Sequence, residues 1–286
     1  MAIVGWNTVK ERGVVEVTLV SEGPPTLSLD KYRDLIRDLI AEAYGDDVGA
    51  LLLIGSPGRF CYGMDIAEIE GLRTPASTRG ATALVQDLLN ELESSPVSLI
   101  SAVDGPCLGG GLELILAFHF VLASSRSTFG FPEIRFGTIP SYGGTQRLAR
   151  IVGRNRALKI LITGEFFDAQ NALAWGLVSE LASQEDLATR ARKLAGHLAR
   201  LSRPAVRALL RSTIQGLDRP FLAGLSIESM HSSGLAEGAD LEEGIRAFLQ
   251  KREPVFPSTL DRERKGPYDG TRQSPEGKSG EPGEAP

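Results

Sequence analysis

The stretch Cys107-Leu-Gly-Gly-Gly-Leu-Glu113 joins an apolar, strand-like run at residues 97–103 to an apolar segment at residues 112–120. Glycines at a strand-to-helix junction have no Cβ, so a ligand can approach the backbone closely. The first N–H groups of a helix lack partners within it and favour negative charge. Glu113 follows the middle glycine by three residues. The stretch indicates either a site for acid–base chemistry on a group that becomes an oxyanion, or a tight turn with a surface glutamate.

Length and composition are typical of a globular protein. The chain has 286 residues, of which 42% are hydrophobic and 23% charged, enough for one large domain or a domain with an appendage. A net charge of -5 without a dense basic block argues against a nucleic-acid partner. No apolar run approaches the ~20 residues of a membrane span. Residues 1–10 lack the charged start and apolar core of a signal peptide. We therefore expect a cytoplasmic protein.

The cysteines and histidines do not indicate a metal centre. Cys61 and Cys107 are too few and too far apart in the sequence for a disulfide framework or a zinc site. The three histidines, at positions 119, 197 and 231, have no ligand spacing with a cysteine or with each other. This usage fits a reducing compartment, and Cys61 is interpreted as a small buried filler.

Apolar patterning predicts strands that alternate with helices in the first half of the chain. Strands are predicted at residues 14–20, 49–54, 97–103 and 120–123. Helices are predicted around residues 35–40, with Ser28 or Asp30 as the cap, and at residues 81–92, after a polar, mobile loop around residues 73–79. Such alternation implies crossover connections and a largely parallel sheet.

The second half of the chain is predicted to be mostly helical from residue 154 onward. The periodicity indicates helices at residues 157–162, 169–175, 187–201, 205–214, 222–230 and 241–252, with Pro204 as a breaker between the third and the fourth. After residue 256 the composition shifts to Gly, Pro, Glu, Lys and Arg, with almost no apolar residue. A tail of this composition, at residues 258–286, is expected to be disordered.

Several motifs together resemble the enoyl-CoA hydratase/isomerase (crotonase) superfamily. The resemblance runs in order from about residue 14 to residue 256. It is carried by Phe60-Cys-Tyr-Gly-Met-Asp-Ile66, Leu108-Gly-Gly-Gly-Leu-Glu113, Phe129-Gly-Phe-Pro-Glu-Ile134, Gly137-Thr-Ile-Pro-Ser-Tyr-Gly-Gly-Thr-Gln-Arg147, Thr163-Gly164, Gly176-Leu-Val178 and Glu243-Gly-Ile-Arg-Ala-Phe-Leu-Gln-Lys-Arg252.

The resemblance implies an α/β fold, the crotonase spiral of ββα turns with a C-terminal helical trimerisation region. Residues 1–200 would form the spiral core with the active site, and residues 201–257 a helical oligomerisation region. Residues 258–286 would then be the disordered tail. The expected assembly is a homotrimer or a dimer of trimers.

The resemblance also implies the chemistry. Members hold a thioester carbonyl with two backbone N–H groups, which by position are those of Met64 and Gly110, and an enolate forms there. Glu113 and Glu133 stand at the two acidic positions of the family's hydratases, where a pair of carboxylic acids can share one proton. The expected substrate is an acyl-CoA or acyl-carrier thioester, as in fatty acid metabolism, and no metal or redox cofactor is needed.

Seven further positions are expected to contact the substrate: Arg59, Tyr62, Gly63, Asp65, Gly109, Tyr142 and Lys251. Asp65 would also orient its loop. Phosphate binding is assigned to Arg59 or to Lys251 of the partner subunit, because Ala67 stands where some members carry a lysine. Tyr32, Tyr62 and Tyr142 could add a polar handle near the acyl group or fill space.

The resemblance implies reversible hydration of a 2-enoyl thioester, with alternatives. An enoyl-CoA isomerase is the nearest alternative, although retention of both glutamates favours hydration. A specialised hydrolase, dehydratase or decarboxylase of secondary or aromatic metabolism is suggested by Tyr142 and by Pro25-Thr-Leu-Ser28, which replaces the usual Asn-Ala-Leu. A catalytically silent scaffold or RNA-binding member is a different class, disfavoured by the two glutamates and the negative charge.

Overall fold

The computed structural model describes residues 3–67 and 74–259, which contain a large sheet, two small sheets and a helical C-terminal part. The strands of the described residues are β1 (Ile3–Glu11), β2 (Val14–Ser21), β3 (Thr26–Leu27), β4 (Ala50–Ile54), β5 (Gly63–Met64), β6 (Ser98–Val103), β7 (Pro106–Leu108), β8 (Phe120–Ser124), β9 (Thr128–Gly130), β10 (Phe167–Asp168) and β11 (Glu180–Ala182).

The large sheet has six strands in the order β1-β2-β4-β6-β8-β11. β1 and β2 form an antiparallel hairpin, and every other pair in this sheet is parallel. Every residue of β4 and β6 is buried, as expected for strands covered on both faces. The prediction of a largely parallel sheet is confirmed, whereas β1 was not predicted.

The two small sheets contain the short strands β3-β5 and β10-β9-β7. Four times in succession a strand of the large sheet is followed by a short strand outside it and then by a helix, beginning with β2, β3 and the helix at Leu29–Ala43. The third such unit is β6, β7 and the helix at Gly110–Ile115, which contains the triple glycine. This repeated order is the predicted spiral of ββα turns, and it brings the short strands together beside the large sheet.

Ten α-helices have bounds that the structure describes: α1 (Leu29–Ala43), α2 (Pro75–Glu93), α3 (Gly110–Ile115), α4 (Gly144–Val152), α5 (Arg154–Thr163), α6 (Ala169–Ala174), α7 (Leu187–Leu198), α8 (Arg203–Leu217), α9 (Phe221–Ser233) and α10 (Ala239–Leu249). A 3₁₀ helix covers Glu133–Phe136. Among these helices and the rest of the described chain, no helix is both long and apolar enough to cross a membrane.

Two local predictions were wrong, and in both cases the reason lies in the residues that begin a helix. The loop predicted around residues 73–79 is helical from Pro75, because Thr74 and Ser77 form a reciprocal capping box. Pro204 does not separate two helices; it lies in the first turn of α8, where a missing N–H costs no hydrogen bond. Residue 73 itself lies outside the described residues.

The C-terminal helices expose many large apolar side chains. On α8 to α10 the most exposed are Leu209, Leu217, Phe221, Leu222, Phe248 and Leu249. The chain after α10 folds back against the first turns of α8 and α10. There the Ser258 hydroxyl contacts Asp240 and accepts a hydrogen bond from the Arg203 amide. The division at residues 200 and 257 stays a prediction. Of the predicted tail at residues 258–286, Ser258 and Thr259 are described and hydrogen-bonded, and residues 260–286 lie outside the described residues.

Candidate active site

Two glycine-containing segments meet backbone to backbone at the centre of the site. Gly63 begins β5 with φ of 89°, and a Cβ there would stand 2.7 Å from the Gly110 amide nitrogen. A Cβ on Gly110 would in turn lie 3.7 Å from the Met64 amide nitrogen. This approach requires a glycine at position 63, whereas a Cβ on Gly110 would make only ordinary van der Waals contact. It brings the two amides that the sequence assigned to one pocket, Met64 and Gly110, to the same place.

Gly110 begins helix α3, and Gly109 is the residue that caps it. The first N–H of a helix has no partner within the helix, so the Gly110 amide has no hydrogen bond inside α3. Gly109 has φ of 51° and ψ of -127°, and it provides no side-chain cap. A Cβ at Gly109 would stand 2.8 Å from Glu133 Oε1, so the glycine also leaves room for this carboxyl group.

Glu113 lies in the same short helix and is almost fully buried, with 2% of its surface exposed. Its Oε1 accepts two backbone hydrogen bonds, from Tyr142 at 2.7 Å and from Gly144 at 2.8 Å. Burial raises the pKa of Glu113 to about 8, the Gly144 amide opposes this shift, and the nearby Glu133 adds to it. Glu113 is therefore a positioned carboxyl group that can hold a proton near neutral pH.

Glu133 opens the 3₁₀ helix after β9, and its carboxyl group reaches back over Gly109. Burial raises the pKa of Glu133 to about 7. Its Oε2 is buried and accepts no hydrogen bond from any described residue. A buried carboxyl oxygen without a partner costs free energy, and such groups occur where a water or a substrate completes the site. The two acids thus differ, since one is held by amides and the other is open on one oxygen.

Helix α2 and Arg147 hold the loop that binds Glu113. The Arg147 guanidinium donates to Glu93 Oε2 at 2.9 Å, to Asn90 at 2.6 Å and to the Tyr142 carbonyl at 3.4 Å. Gln86 donates to the Ser141 carbonyl at 2.7 Å. Arg147 therefore holds this loop against α2. The three partners on α2 were not predicted, because nothing in their local sequence points to a loop about 50 residues away.

Tyr32 and Tyr142 stack beside the acids, with ring centroids 5.6 Å apart and planes at 27°. Tyr142 is 7% exposed and Tyr32 is fully buried. The Tyr32 hydroxyl donates to the Gly110 carbonyl at 2.7 Å, a bond that the sequence did not reveal. Burial raises the pKa of Tyr142 to about 12.

The remaining predicted positions lie on exposed or partly exposed segments. Tyr62 is exposed at the rim, and the Asp65 carboxylate accepts the Ala67 amide at 3.0 Å, which orients the loop. Arg59 is exposed on the tight turn after β4, and Lys251 is exposed just after α10. Within the described residues, no hydrogen bond or ion pair joins either cation to the glutamates.

The cysteines have no place in acid–base chemistry. Cys61 and Cys107 are both free and fully buried, and they face each other across a short parallel bridge. Burial raises the pKa of Cys61 to about 12, so its thiol stays protonated. Across residues 3–67 and 74–259, no group of three or more His, Cys, Asp or Glu side chains could hold a metal ion.

Comparisons with known proteins show the family of this chain. The profile of the enoyl-CoA hydratase/isomerase family matches residues 10–259. An enoyl-CoA isomerase/hydratase of Mycosarcoma maydis is 36% identical over 210 residues, which are 72% of this chain and 75% of the relative. A crotonyl-CoA hydratase of Syntrophomonas wolfei is 34% identical over 223 residues, 77% of this chain and 85% of the relative.

Solved structures give the same result for the fold. The crystal structure of an enoyl-CoA hydratase from Bacillus anthracis superposes with a TM-score of 0.83 at 30% identity, covering 89% of this chain and 99% of that one. The agreement thus extends over the spiral and the C-terminal helices together. The chain belongs to the enoyl-CoA hydratase/isomerase family and has the crotonase fold.

Proposed function

We propose that this protein is an enoyl-CoA hydratase-like enzyme that adds water reversibly, with syn stereochemistry, to a 2-enoyl thioester. The observation that carries the proposal is the pair of buried acids, Glu113 and Glu133, beside the meeting point of the Gly63-Met64 and Gly109-Gly110 backbones. A hydration needs both a base and an acid beside a site that stabilises an enolate. The crotonyl-CoA hydratase of S. wolfei, 34% identical, supports the same reaction.

The proposed reaction begins when the thioester oxygen binds between the amides of Met64 and Gly110. Addition of a water oxygen to the β-carbon moves the electrons of the double bond toward the carbonyl, and the two N–H groups stabilise the enolate oxygen. One glutamate takes the proton from the water, and the other delivers a proton to the α-carbon. Loss of one such donor typically reduces the rate by ~10²–10³-fold.

The charge state of the acids suits this exchange. Both pKa values are raised by burial, and the negative charge of one acid favours the protonated form of the other. Between them the two carboxyl groups can therefore hold one proton near neutral pH. The reaction itself needs neither a metal nor a redox cofactor, because the protons and the water supply every atom that is transferred.

The substrate contacts complete the proposal. Gly63 and Gly109 would border the thioester: Gly63 lets the two backbone segments approach each other, and Gly109 leaves room for the Glu133 carboxyl group. Asp65 orients the loop after β5. Tyr142 and Tyr62 would contact the acyl and pantetheine parts. Arg59, or Lys251 of the partner subunit, would bind the CoA phosphates, since both side chains are exposed cations.

Isomerisation of an enoyl thioester is the second candidate, favoured by one observation. The relative from M. maydis carries both activities in its name and is 36% identical. An isomerase needs one acid to move a proton between carbon atoms, and Glu133, with its unpaired Oε2, is suited to that task. Two backbone amides hold Glu113 in place as a second acid, which isomerisation does not need. This favours hydration as the main reaction.

We further propose a homotrimer, or a dimer of trimers, in the cytoplasm. Apolar side chains on α8 to α10, such as Phe221 and Phe248 at 78% and 83% exposure, would be costly in contact with water and suit a subunit interface. Free, buried cysteines are compatible with a reducing compartment.

Crotonyl-CoA tests the function directly. The purified protein should remove the conjugated enoyl absorbance, and Glu113→Gln and Glu133→Gln should each abolish this activity while they fold normally. Glu165→Gln is the matched control, because Glu165 is exposed in a surface ion pair with Lys159. Full hydration by either active-site variant would remove the two-acid mechanism. A 3-enoyl-CoA substrate separates the candidates, since an isomerase would convert it to the 2-enoyl form.

A further inference from the structure

Tyr32 connects helix α1 to the first residue of helix α3. Its hydroxyl donates a hydrogen bond of 2.7 Å to the Gly110 carbonyl, across 78 residues of sequence. The side chain is fully buried, and its Cε2 lies 3.8 Å from the position that a Cβ on Gly110 would take. The hydroxyl and the ring thus both touch the residue whose amide is a proposed oxyanion donor.

Helix α3 needs such a support, because it is only six residues long and Gly109 gives it no side-chain cap. Two glycines at its start also leave many backbone conformations open in this segment. A buried phenol hydroxyl without a partner would be unfavourable, so the hydrogen bond fixes the distance between α1 and Gly110. Burial raises the pKa of Tyr32 well above its usual value, so the hydroxyl stays a donor at any working pH.

We propose that Tyr32 is a positioning residue of the oxyanion pocket: its hydroxyl holds the carbonyl of Gly110, and thereby the residue whose N–H would point at the thioester oxygen. The inference rests on the proposed thioester function. The hydroxyl is committed to a backbone carbonyl within a fully buried side chain, and it acts through Gly110. Its contribution is to the alignment of the donor, which matters most when the oxygen carries the charge of the enolate.

Tyr32→Phe isolates the hydroxyl, because it keeps the ring and its stack on Tyr142. Tyr44→Phe is the matched control on the same helix: Tyr44 is the C-cap of α1 and is 46% exposed. We expect the kcat for crotonyl-CoA hydration by Tyr32→Phe to fall about 10-fold, with KM changed by less than about twofold. Tyr44→Phe should match the unmodified protein in both.

A pair of ligands distinguishes alignment of the donor from general support of the fold. Acetoacetyl-CoA is a β-keto thioester that can ionise to an enolate, whereas butyryl-CoA is a saturated thioester that stays uncharged at its acyl group. Tyr32→Phe should lose about 10-fold in affinity for acetoacetyl-CoA and keep its affinity for butyryl-CoA. Equal losses for both ligands, or no loss for either in a folded variant, would overturn the inference.

A second variant guards against a failure to fold. Replacement of Tyr32 by 4-aminophenylalanine keeps a donor at the same place on the ring, so the kcat and the acetoacetyl-CoA affinity should return toward those of the unmodified protein. Absence of this rescue overturns the inference.

The ligand comparison also separates the inference from the proposed function. The protein could bind acetoacetyl-CoA more tightly than butyryl-CoA and yet not hydrate crotonyl-CoA. The hydratase proposal would then fail, and the affinities of Tyr32→Phe for the two ligands would still test the positioning role of Tyr32. If it showed no such preference, or bound neither thioester, there would be no oxyanion pocket for Tyr32 to position and the inference would be overturned.

Discussion

The Gly144 amide donates a hydrogen bond of 2.8 Å to Glu113 Oε1, and the α-carbon of the same glycine leaves no room for a side chain. A Cβ there would stand 2.8 Å from Pro140, 2.9 Å from Phe131 and 3.0 Å from the same Glu113 oxygen. The proposed acid and the loop that binds it are therefore in direct van der Waals contact. Any side chain at position 144 must move one of them.

Gly144→Ala is expected to reduce hydration at least about 10-fold, because the new methyl group displaces the Glu113 carboxyl or the loop that binds it. The measurement is kcat/KM for crotonyl-CoA. Gly196→Ala is the control: Gly196 lies in α7, and a Cβ there would meet no atom within 4 Å. An alanine at a helical position of this kind should keep activity and stability or raise the latter slightly. Full activity of Gly144→Ala would show that the placement of Glu113 does not limit the rate.

Glu113→Gln should lose hydration activity and gain free energy of unfolding, and the gain should depend on pH. The folded pKa of about 8 lies above the usual value of 4.5, so the ionised form is disfavoured in the folded state. This cost is absent below the unfolded pKa, grows as the pH rises and is complete above about 8. Glutamine keeps an oxygen that accepts the amides of Tyr142 and Gly144 but never ionises.

The free energy of unfolding of Glu113→Gln relative to the unmodified protein should therefore rise from pH 5 to pH 9 by on the order of 1 kcal/mol or more. Urea unfolding at the two pH values measures this. Glu165→Gln, on the surface, should show no such trend. An equal difference at both pH values would mean that Glu113 ionises in the folded protein as it does in water.

The pH profile of hydration is expected to be bell-shaped. Below about pH 7 both Glu113 and Glu133 are protonated and no base is present, whereas above about pH 8 both are ionised and no acid is present. The maximum of kcat/KM for crotonyl-CoA should lie between these values, which belong to the pair as a unit. A maximum below pH 6 would contradict the raised pKa values.

Arg147→Lys should lower activity and stability through the loop that binds Glu113. Lysine cannot replace the planar contacts to Glu93, Asn90 and the Tyr142 carbonyl, so the loop that binds Glu113 loses its anchor to α2. We expect a loss of about 1–3 kcal/mol in the free energy of unfolding and a clear fall in kcat. Arg150→Lys on the same helix is the control, because Arg150 is 58% exposed. Identical behaviour of the two variants would remove the anchoring role.

Tyr142→Ala should change the acyl preference. The backbone amide that binds Glu113 remains, whereas removal of the ring leaves space beside the acid and next to Tyr32. We expect the ratio of kcat/KM for a ten-carbon 2-enoyl-CoA to that for crotonyl-CoA to rise about 10-fold, with a loss of stability of about 3–5 kcal/mol. An unchanged ratio would mean that the Tyr142 ring does not border the acyl group.

The sequence predicted the strands and helices best where a single physical rule governs them. The apolar runs of β4 and β6 were sufficient to predict these strands, because a strand that is buried on both faces has apolar residues throughout. The helical periodicity of α1 was sufficient as well, because a helix that is buried on one face repeats its apolar residues at helical spacing. Short strands such as β3 and β5, with two residues each, carry no periodicity and were missed. The start of α2 was missed because its cap depends on Thr74 and Ser77 more than on apolar spacing.

The sequence by itself indicated the family through several motifs in order, and through that resemblance it predicted the two glutamates and the amides of Met64 and Gly110 as the site. Only the tertiary structure decided what holds them. The bond from Tyr32 to Gly110 and the anchor from Arg147 to α2 join residues that are far apart in the chain, and no local pattern records such contacts. The raised pKa values of the acids likewise arise from burial, which exists only after the sheets and helices have packed around them.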